Sequence, residues 1–217
     1  MRHMGDNNEK TKHGIEKYLK IMELFNKKGV DVSSQETDFQ KLFNGFYQVR
    51  RNVEWRTVFY GYMQEHRADY QGCVSTGPIK EIMESLAEKE PKNRVELSFA
   101  SKLLHTIIPT YPIYDKNVAA HLNERYKLGI TPPNPKLKKD EKIAHQVRNY
   151  QKLIDWYQSG EASQYEAIFD KLFDFQKYNI GRVKKIDFII WRGLYTKLND
   201  IKENKTKNDQ SIFKRNH

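Results

Sequence analysis

Apolar side chains recur every three or four positions along most of the chain, the spacing that puts them on one face of an α-helix. Ile15, Leu19, Met22 and Phe25 form one such stripe and predict a helix over 13–27, ended by Gly29 and followed by a turn in VDVSS. Phe39, Leu42, Phe43 and Phe46 resume the pattern after Asp38, which reads as an N-cap. Trp55, Val58, Phe59 and Tyr62 carry it toward Tyr70, with a break expected near Gly45 or Asn52. After the loop QGCVSTGP, Pro78 suits the first turn of a helix reaching Glu88. Asn93 and Glu96 have capping-box spacing ahead of a helix over 94–108. Its apolar face holds Leu97, Ala100, Leu103, Leu104 and Ile107, and Pro109 stops it. A loop with three prolines over 127–138 leads into further helices near 139–158, 162–178 and 182–200. Alternating apolar and polar positions, the mark of a half-buried strand, are absent apart from short pieces such as FIIW. The pattern predicts an all-α protein: a single helical domain over 13–200, a disordered polar segment over 1–12 and a polar, frayed tail over 201–217.

Composition narrows the partners. The chain carries 38 Lys and Arg against 28 Asp and Glu, a formal charge of +10. Such an excess attracts polyanions, either nucleic acid or an anionic membrane surface. No apolar run approaches the ~20 residues a membrane helix needs, and the N-terminus lacks the apolar segment of a signal peptide. Cys73 is the single cysteine, so an internal disulfide and a four-cysteine zinc or iron–sulfur site are excluded. A monomer in a reducing cytoplasm is expected. The seven histidines show no metal-ligand spacing, and no glycine-rich phosphate loop is present, so neither metal nor cofactor is expected. In YQVRRNVEWRTVFYGY the aromatics have core spacing, while Arg50 and Arg51 stand equally well as solvated charges or phosphate contacts. Trp191, within the apolar stretch DFIIW, reads as core.

The stretch SFASKLLHTIIPTYPIYDKNVAAHL, residues 98–122, carries the chemistry. Pro112 favours extended backbone before it, and Asp115 stands where its carboxylate can cap the following helix. A cap contributes roughly 1 kcal/mol and requires no other role. With its preceding helix, the stretch resembles the catalytic end of the helix-hairpin-helix DNA glycosylase superfamily. There, a helix with an alanine step, a short turn and an apolar proline-containing run lead to a catalytic aspartate that opens the next helix. The wording is nearest to the adenine glycosylases: Pro112-Ile113-Tyr114-Asp115-Lys116-Asn117-Val118 agrees with Pro-Ile-Leu-Asp-Gly-Asn-Val at five of seven positions.

The resemblance implies two helical lobes with a cleft and duplex DNA with a flipped base as partner. It also implies Asp115 as the catalytic carboxylate and Asn117 beside it on the first turn. Bifunctional relatives place a lysine two residues before the alanine. Ser98 stands there in this chain, which implies a monofunctional enzyme with water as nucleophile. Lys102, one turn further, is the one amine positioned to replace it. The phosphate-binding hairpin of the family carries two glycines. Here the aligned stretch is Lys92-Asn93-Arg94-Val95-Glu96, so phosphate contact falls to the side chains of Lys92, Asn93 and Arg94, with Lys102 and Lys116 nearby. The missing glycines leave two outcomes open: a glycosylase of unusual substrate, such as a modified base of an invading phage genome, or a non-enzymatic DNA-binding protein on a degenerate frame.

Overall fold

A computed structural model describes residues 2–69, 74–88, 94–174 and 177–195. The expectations that fall on Cys73, Lys92, Asn93 and the tail over 201–217 lie outside these residues. All regular structure among the described residues is helical: α1 (Arg2–Asn26), α2 (Asp38–Tyr47), α3 (Val53–Glu65), α4 (Gly77–Glu88), α5 (Leu97–Ile107), α6 (Lys116–Tyr126), α7 (Lys139–Gln158), α8 (Gly160–Leu172) and α9 (Arg182–Trp191).

The expected break between α2 and α3 falls at 48–52, where Gln48 takes a left-handed conformation (φ 55°) and Asn52 caps α3 by accepting from the Trp55 amide. The cap of α2 is Thr37 rather than Asp38: its hydroxyl accepts from the Gln40 amide at 3.2 Å, and Asp38 becomes the first helical residue. Helix α5 begins at Leu97, and Glu96 caps it without a side-chain bond, because that carboxylate is taken by Arg51.

The largest departure is at the N-terminus. The segment over 1–12 was expected to be disordered, yet α1 starts at Arg2. The added turns are held from outside: Thr11 is fully buried, and Arg192 Nη2 donates to the Lys10 carbonyl at 3.2 Å. At Gly14 a Cβ would stand 3.3 Å from the Phe188 ring, so glycine permits this approach of α1 to α9.

The helices pack in pairs: α1 with α2, α4 with α5 and α7, α6 with α9, and α8 with both α7 and α9. Their buried faces join into one continuous core. The interleaved aromatics of α2 and α3 belong to it, with Phe39, Phe43, Phe59 and Tyr60 almost wholly buried. Burying each such side chain contributes roughly 1.5–3 kcal/mol. No helix among the described residues is long and apolar enough to cross a membrane.

Candidate functional site

The run Tyr111-Pro112-Ile113-Tyr114 belongs to no helix or strand, so its polar backbone groups must be satisfied from elsewhere. Three side chains do this. Ser101 Oγ accepts from the Tyr114 amide at 2.9 Å. Tyr150 of α7 donates to the Pro112 carbonyl at 2.7 Å. His105 Nδ1 donates to the Tyr111 carbonyl at 2.7 Å, which fixes the tautomer and leaves Nε2 to accept from the Tyr18 hydroxyl at 3.1 Å. Burial, then the charge of Lys184, lowers the His105 pKa to about 3, so the ring is neutral. The run is thereby tied to α1, α5 and α7, and it delivers Asp115 to a fixed place.

Asp115 caps α6 as the sequence predicts: Oδ1 accepts from the Asn117 amide at 2.8 Å. Oδ2 makes no hydrogen bond within the described residues. The carboxylate lines a pocket of about 180 Å³ bounded by the end of α2, by α5, by the start of α6 and by α9. Phe46, Ile113, Val118 and Phe188 give the pocket its apolar walls.

Lys102 lies on the same pocket, 7% exposed, and donates from Nζ to Ser98 Oγ at 2.6 Å. Its ammonium also sits 5.3 Å from the centre of the Phe99 ring. Burial lowers the Lys102 pKa to about 8, against the opposing pull of the Asp115 charge. Of the three residues expected to act together, Asp115 alone reaches the pocket. Ser98 serves as the acceptor for Lys102, and Asn117 contributes its backbone amide while its side chain stays exposed.

The expected DNA contacts divide. Arg94, Lys116 and Arg50 are exposed, and Arg50 reaches back to Gln48 Oε1 at 3.1 Å. Arg51 is not free for phosphate. It is paired with Glu96, and its guanidinium lies 5.1 Å from the Phe99 ring centre and 5.6 Å from that of Trp55. The pair bridges α5 to the residues before α3, and this packing outcompetes a solvated position. Trp191, expected in the core, is 42% exposed at the pocket and backed by the Arg192 guanidinium at 4.4 Å. It ends α9 on the stripe that faces the pocket rather than on the stripe that faces the core.

Periodicity did not single out Lys184 and Asp187. They form a 2.8 Å ion pair on the pocket wall, with side chains 5% and 10% exposed. Four rings surround the ammonium, those of Tyr18, Phe46, Tyr47 and Phe188, with centres 5.1–5.4 Å away. The Tyr47 hydroxyl behind them is buried without a hydrogen-bond partner among the described residues. A signal for the pair was present in RVKKIDFIIW: Lys184 and Asp187, three residues apart with opposite charges, share one helical stripe with Phe188 and Trp191. No group of three or more His, Cys, Asp or Glu is arranged to hold a metal ion among the described residues. No family model, curated protein or solved structure matches the chain.

Proposed function

We propose that the chain is a DNA glycosylase-like enzyme that hydrolyses the N-glycosidic bond of a damaged or modified base flipped from duplex DNA. The observation that carries the reading is the position of Asp115. A helix-capping carboxylate, with one oxygen unbonded, faces a small aromatic-walled pocket in the segment that resembles the catalytic end of that superfamily. Base departure builds positive charge on the deoxyribose. A carboxylate about 4 Å away contributes roughly 4 kcal/mol at an effective dielectric near 20, or about 10³-fold in rate. In this reading the enzyme is monofunctional: Asp115 steadies the sugar cation, water attacks, and the helices on either side of the pocket act as two lobes around a flipped base.

The test is release of free base from duplexes carrying a panel of damaged and naturally modified bases. Asp115→Asn keeps the shape and most of the capping. The expected result is base release by the wild type, lost about 10³-fold in the variant, with DNA affinity retained. Full activity in Asp115→Asn overturns the assignment. Salt-dependent DNA binding without release of any base supports the non-enzymatic alternative.

Lys102 supports a second reading of the same pocket. A buried amine lowered to about 8 and facing the same cavity as Asp115 suits imine formation. The amine would add to the sugar C1′ as the base leaves with the bonding electrons, the C1′–O4′ bond would open to give the protonated imine, and loss of a C2′ proton would then expel the C3′ phosphate. Borohydride trapping separates the two readings. The monofunctional enzyme gives no covalent band. A band that is lost in Lys102→Ala and kept in Ser98→Ala assigns the nucleophile to Lys102.

A further inference from the structure

Helix α9 sends Lys184, Asp187, Phe188 and Trp191 to the pocket, at positions i, i+3, i+4 and i+7, which lie on one helical stripe. The bond between the two charges on that stripe does little for the fold. Both partners sit on one turn, so that bond ties no two elements together, the links to α1 and α2 run through the rings around the ammonium, and taking two charges out of water opposes folding. Its hydrogen-bonding capacity is also incompletely used. Asp187 Oδ2 accepts from Lys184, while Oδ1 has only the Tyr157 hydroxyl at 3.4 Å, beyond the ordinary range for such a bond. The Lys184 ammonium has three N–H donors, and Asp187 is its one hydrogen-bond acceptor among the described residues. At the pocket, Trp191 keeps 42% of its surface exposed while Arg192 backs the indole, the arrangement of a stacking platform. The volume of about 180 Å³ lies below the ~300 Å³ at which sites for larger ligands begin, so the pocket suits one small ring system.

We propose that α9 forms a recognition wall for a planar heteroaromatic ring stacked on Trp191, with its lactam edge read by Asp187 and Lys184. Asp187 Oδ1 accepts the ring N–H, and Lys184 donates to the adjacent carbonyl. A carboxylate and an ammonium held 2.8 Å apart present acceptor and donor side by side, the complement of an N–H next to a C=O. Both bonds are charge-assisted, which makes them stronger than bonds between neutral groups. A carbonyl, with two lone pairs, accommodates the off-axis approach of an ammonium confined by four rings. The inference rests on the base-release reading for the ring's identity as a nucleobase, and it adds the class: bases that present a lactam, such as hypoxanthine or uracil derivatives, over adenine and cytosine.

The test is direct binding of free bases to the full chain, monitored by ligand-observed NMR. Hypoxanthine and 1-methyluracil, whose N1 is blocked as it is in a nucleoside, are expected to bind. Methylation of the remaining lactam nitrogen, as in 1-methylhypoxanthine and 1,3-dimethyluracil, should weaken binding about tenfold or more, and adenine should bind more weakly than hypoxanthine. Trp191→Ala and the paired replacement Lys184→Met with Asp187→Leu should each weaken hypoxanthine about tenfold. The paired replacement removes both charges and fills their space with apolar atoms, and a thermal melt of each variant establishes folding. Equal binding of methylated and unmethylated rings, adenine bound more tightly than hypoxanthine, or no base bound at millimolar concentration overturns the proposal. The two readings fail separately. Base release from duplexes with no preference for the lactam leaves the glycosylase standing and removes the recognition wall. Lactam-selective binding with no release from any duplex does the reverse.

Discussion

Two ion pairs in this protein, one half-buried and one buried, share their chemistry and differ in what they join. Arg51 and Glu96 are 45 residues apart, pack against Trp55 and Phe99, and link α5 to the entrance of α3; their side chains are 21% and 16% exposed. Lys184 and Asp187 are three residues apart on one turn of α9, deeper in the protein, under four aromatic rings. The first holds a seam that no local interaction could hold, and the planar guanidinium suits it because it can pair and stack at once. The bond of the second joins two residues of one helix and faces a pocket. Burial of charge is therefore a poor guide to purpose in this fold. The sequence distance across the pair separates a structural clamp from a recognition surface.

The comparison breaks first at Glu96. Removing that carboxylate in Glu96→Ala leaves the Arg51 guanidinium partly buried and unpaired, a change that costs about 3 kcal/mol in such settings. For a chain of this size that corresponds to a drop in melting temperature of roughly 6–12 °C. Thermal denaturation followed by circular dichroism measures it. A loss below about 1 kcal/mol would place the Arg51 pair with ordinary surface pairs and remove the contrast.

Lys102 supplies the next test, because it is the pocket cation with no carboxylate bonded to it. Its folded pKa of about 8 lies below the ordinary lysine value of 10.5. Between these values the unfolded chain binds a proton that the native protein does not, so stability rises with pH across that window. From pH 8 to 10 the gain relative to Lys102→Met should approach about 2 kcal/mol, since each pH unit over which the two states differ by one proton contributes about 1.36 kcal/mol. Urea denaturation at each pH reads it. The window closes near 10.5, where the unfolded lysine loses its own proton. The buried Tyr18, Tyr47 and Tyr60, whose pKa burial raises, titrate alike in both proteins and cancel in the difference. No change relative to the methionine variant between pH 8 and 10 would mean that Lys102 keeps its solvated pKa and is no candidate nucleophile.

A smaller effect is expected where the seam pair would give a large one. Replacing Lys184 and Asp187 together by Met and Leu should leave stability within about 1 kcal/mol of the wild type, since two desolvated charges are exchanged for apolar atoms. A loss near that of Glu96→Ala would return the α9 pair to a structural role and weaken the case for a recognition wall.

What the sequence made legible follows from the range of the forces involved. Stripes of period three to four placed the helices of the middle of the chain within a few residues, and the Pro112–Asp115 spacing placed the α6 cap, because both are set by neighbours in sequence. Thr37 displaced Asp38 as a cap by a single position, which is the margin between two residues that both bond a free amide. The start of α1 was missed because its added turns are held by Arg192, some 180 residues away in the chain. Trp191 reads as core in the sequence for the same reason: which stripe of α9 meets the core is a tertiary fact, as is the pairing of Arg51 with Glu96. At the site, the residue the motif names reaches the pocket and its sequence neighbours Ser98 and Asn117 do not, while Lys184 and Asp187 arrive from another helix. A motif encodes the local frame of one residue. The opposite wall of the pocket is encoded elsewhere.

The finest test returns to Arg51 and asks which basic side chains remain for DNA. Binding to duplex should fall several hundred-fold between 50 and 200 mM salt if about five phosphates are engaged, at a slope of roughly −0.9 per contact. Arg94 and Lys116 are exposed, and Lys116 opens α6 directly beside Asp115. Arg94→Ala and Lys116→Ala should each reduce the magnitude of the slope by about one contact while costing less than tenfold in affinity at a single salt concentration. Arg51 is already neutralised by Glu96 and held over two rings, so it releases no counterion on binding. Replacing that pair together, Arg51→Met with Glu96→Gln, avoids an orphaned buried charge and should leave the slope where it was. Fluorescence anisotropy across a salt series resolves a change of one contact. An unchanged slope in Lys116→Ala, with a reduced one in the Arg51 and Glu96 double variant, would exchange the two assignments and place the DNA on the α3 side of the molecule, away from Asp115.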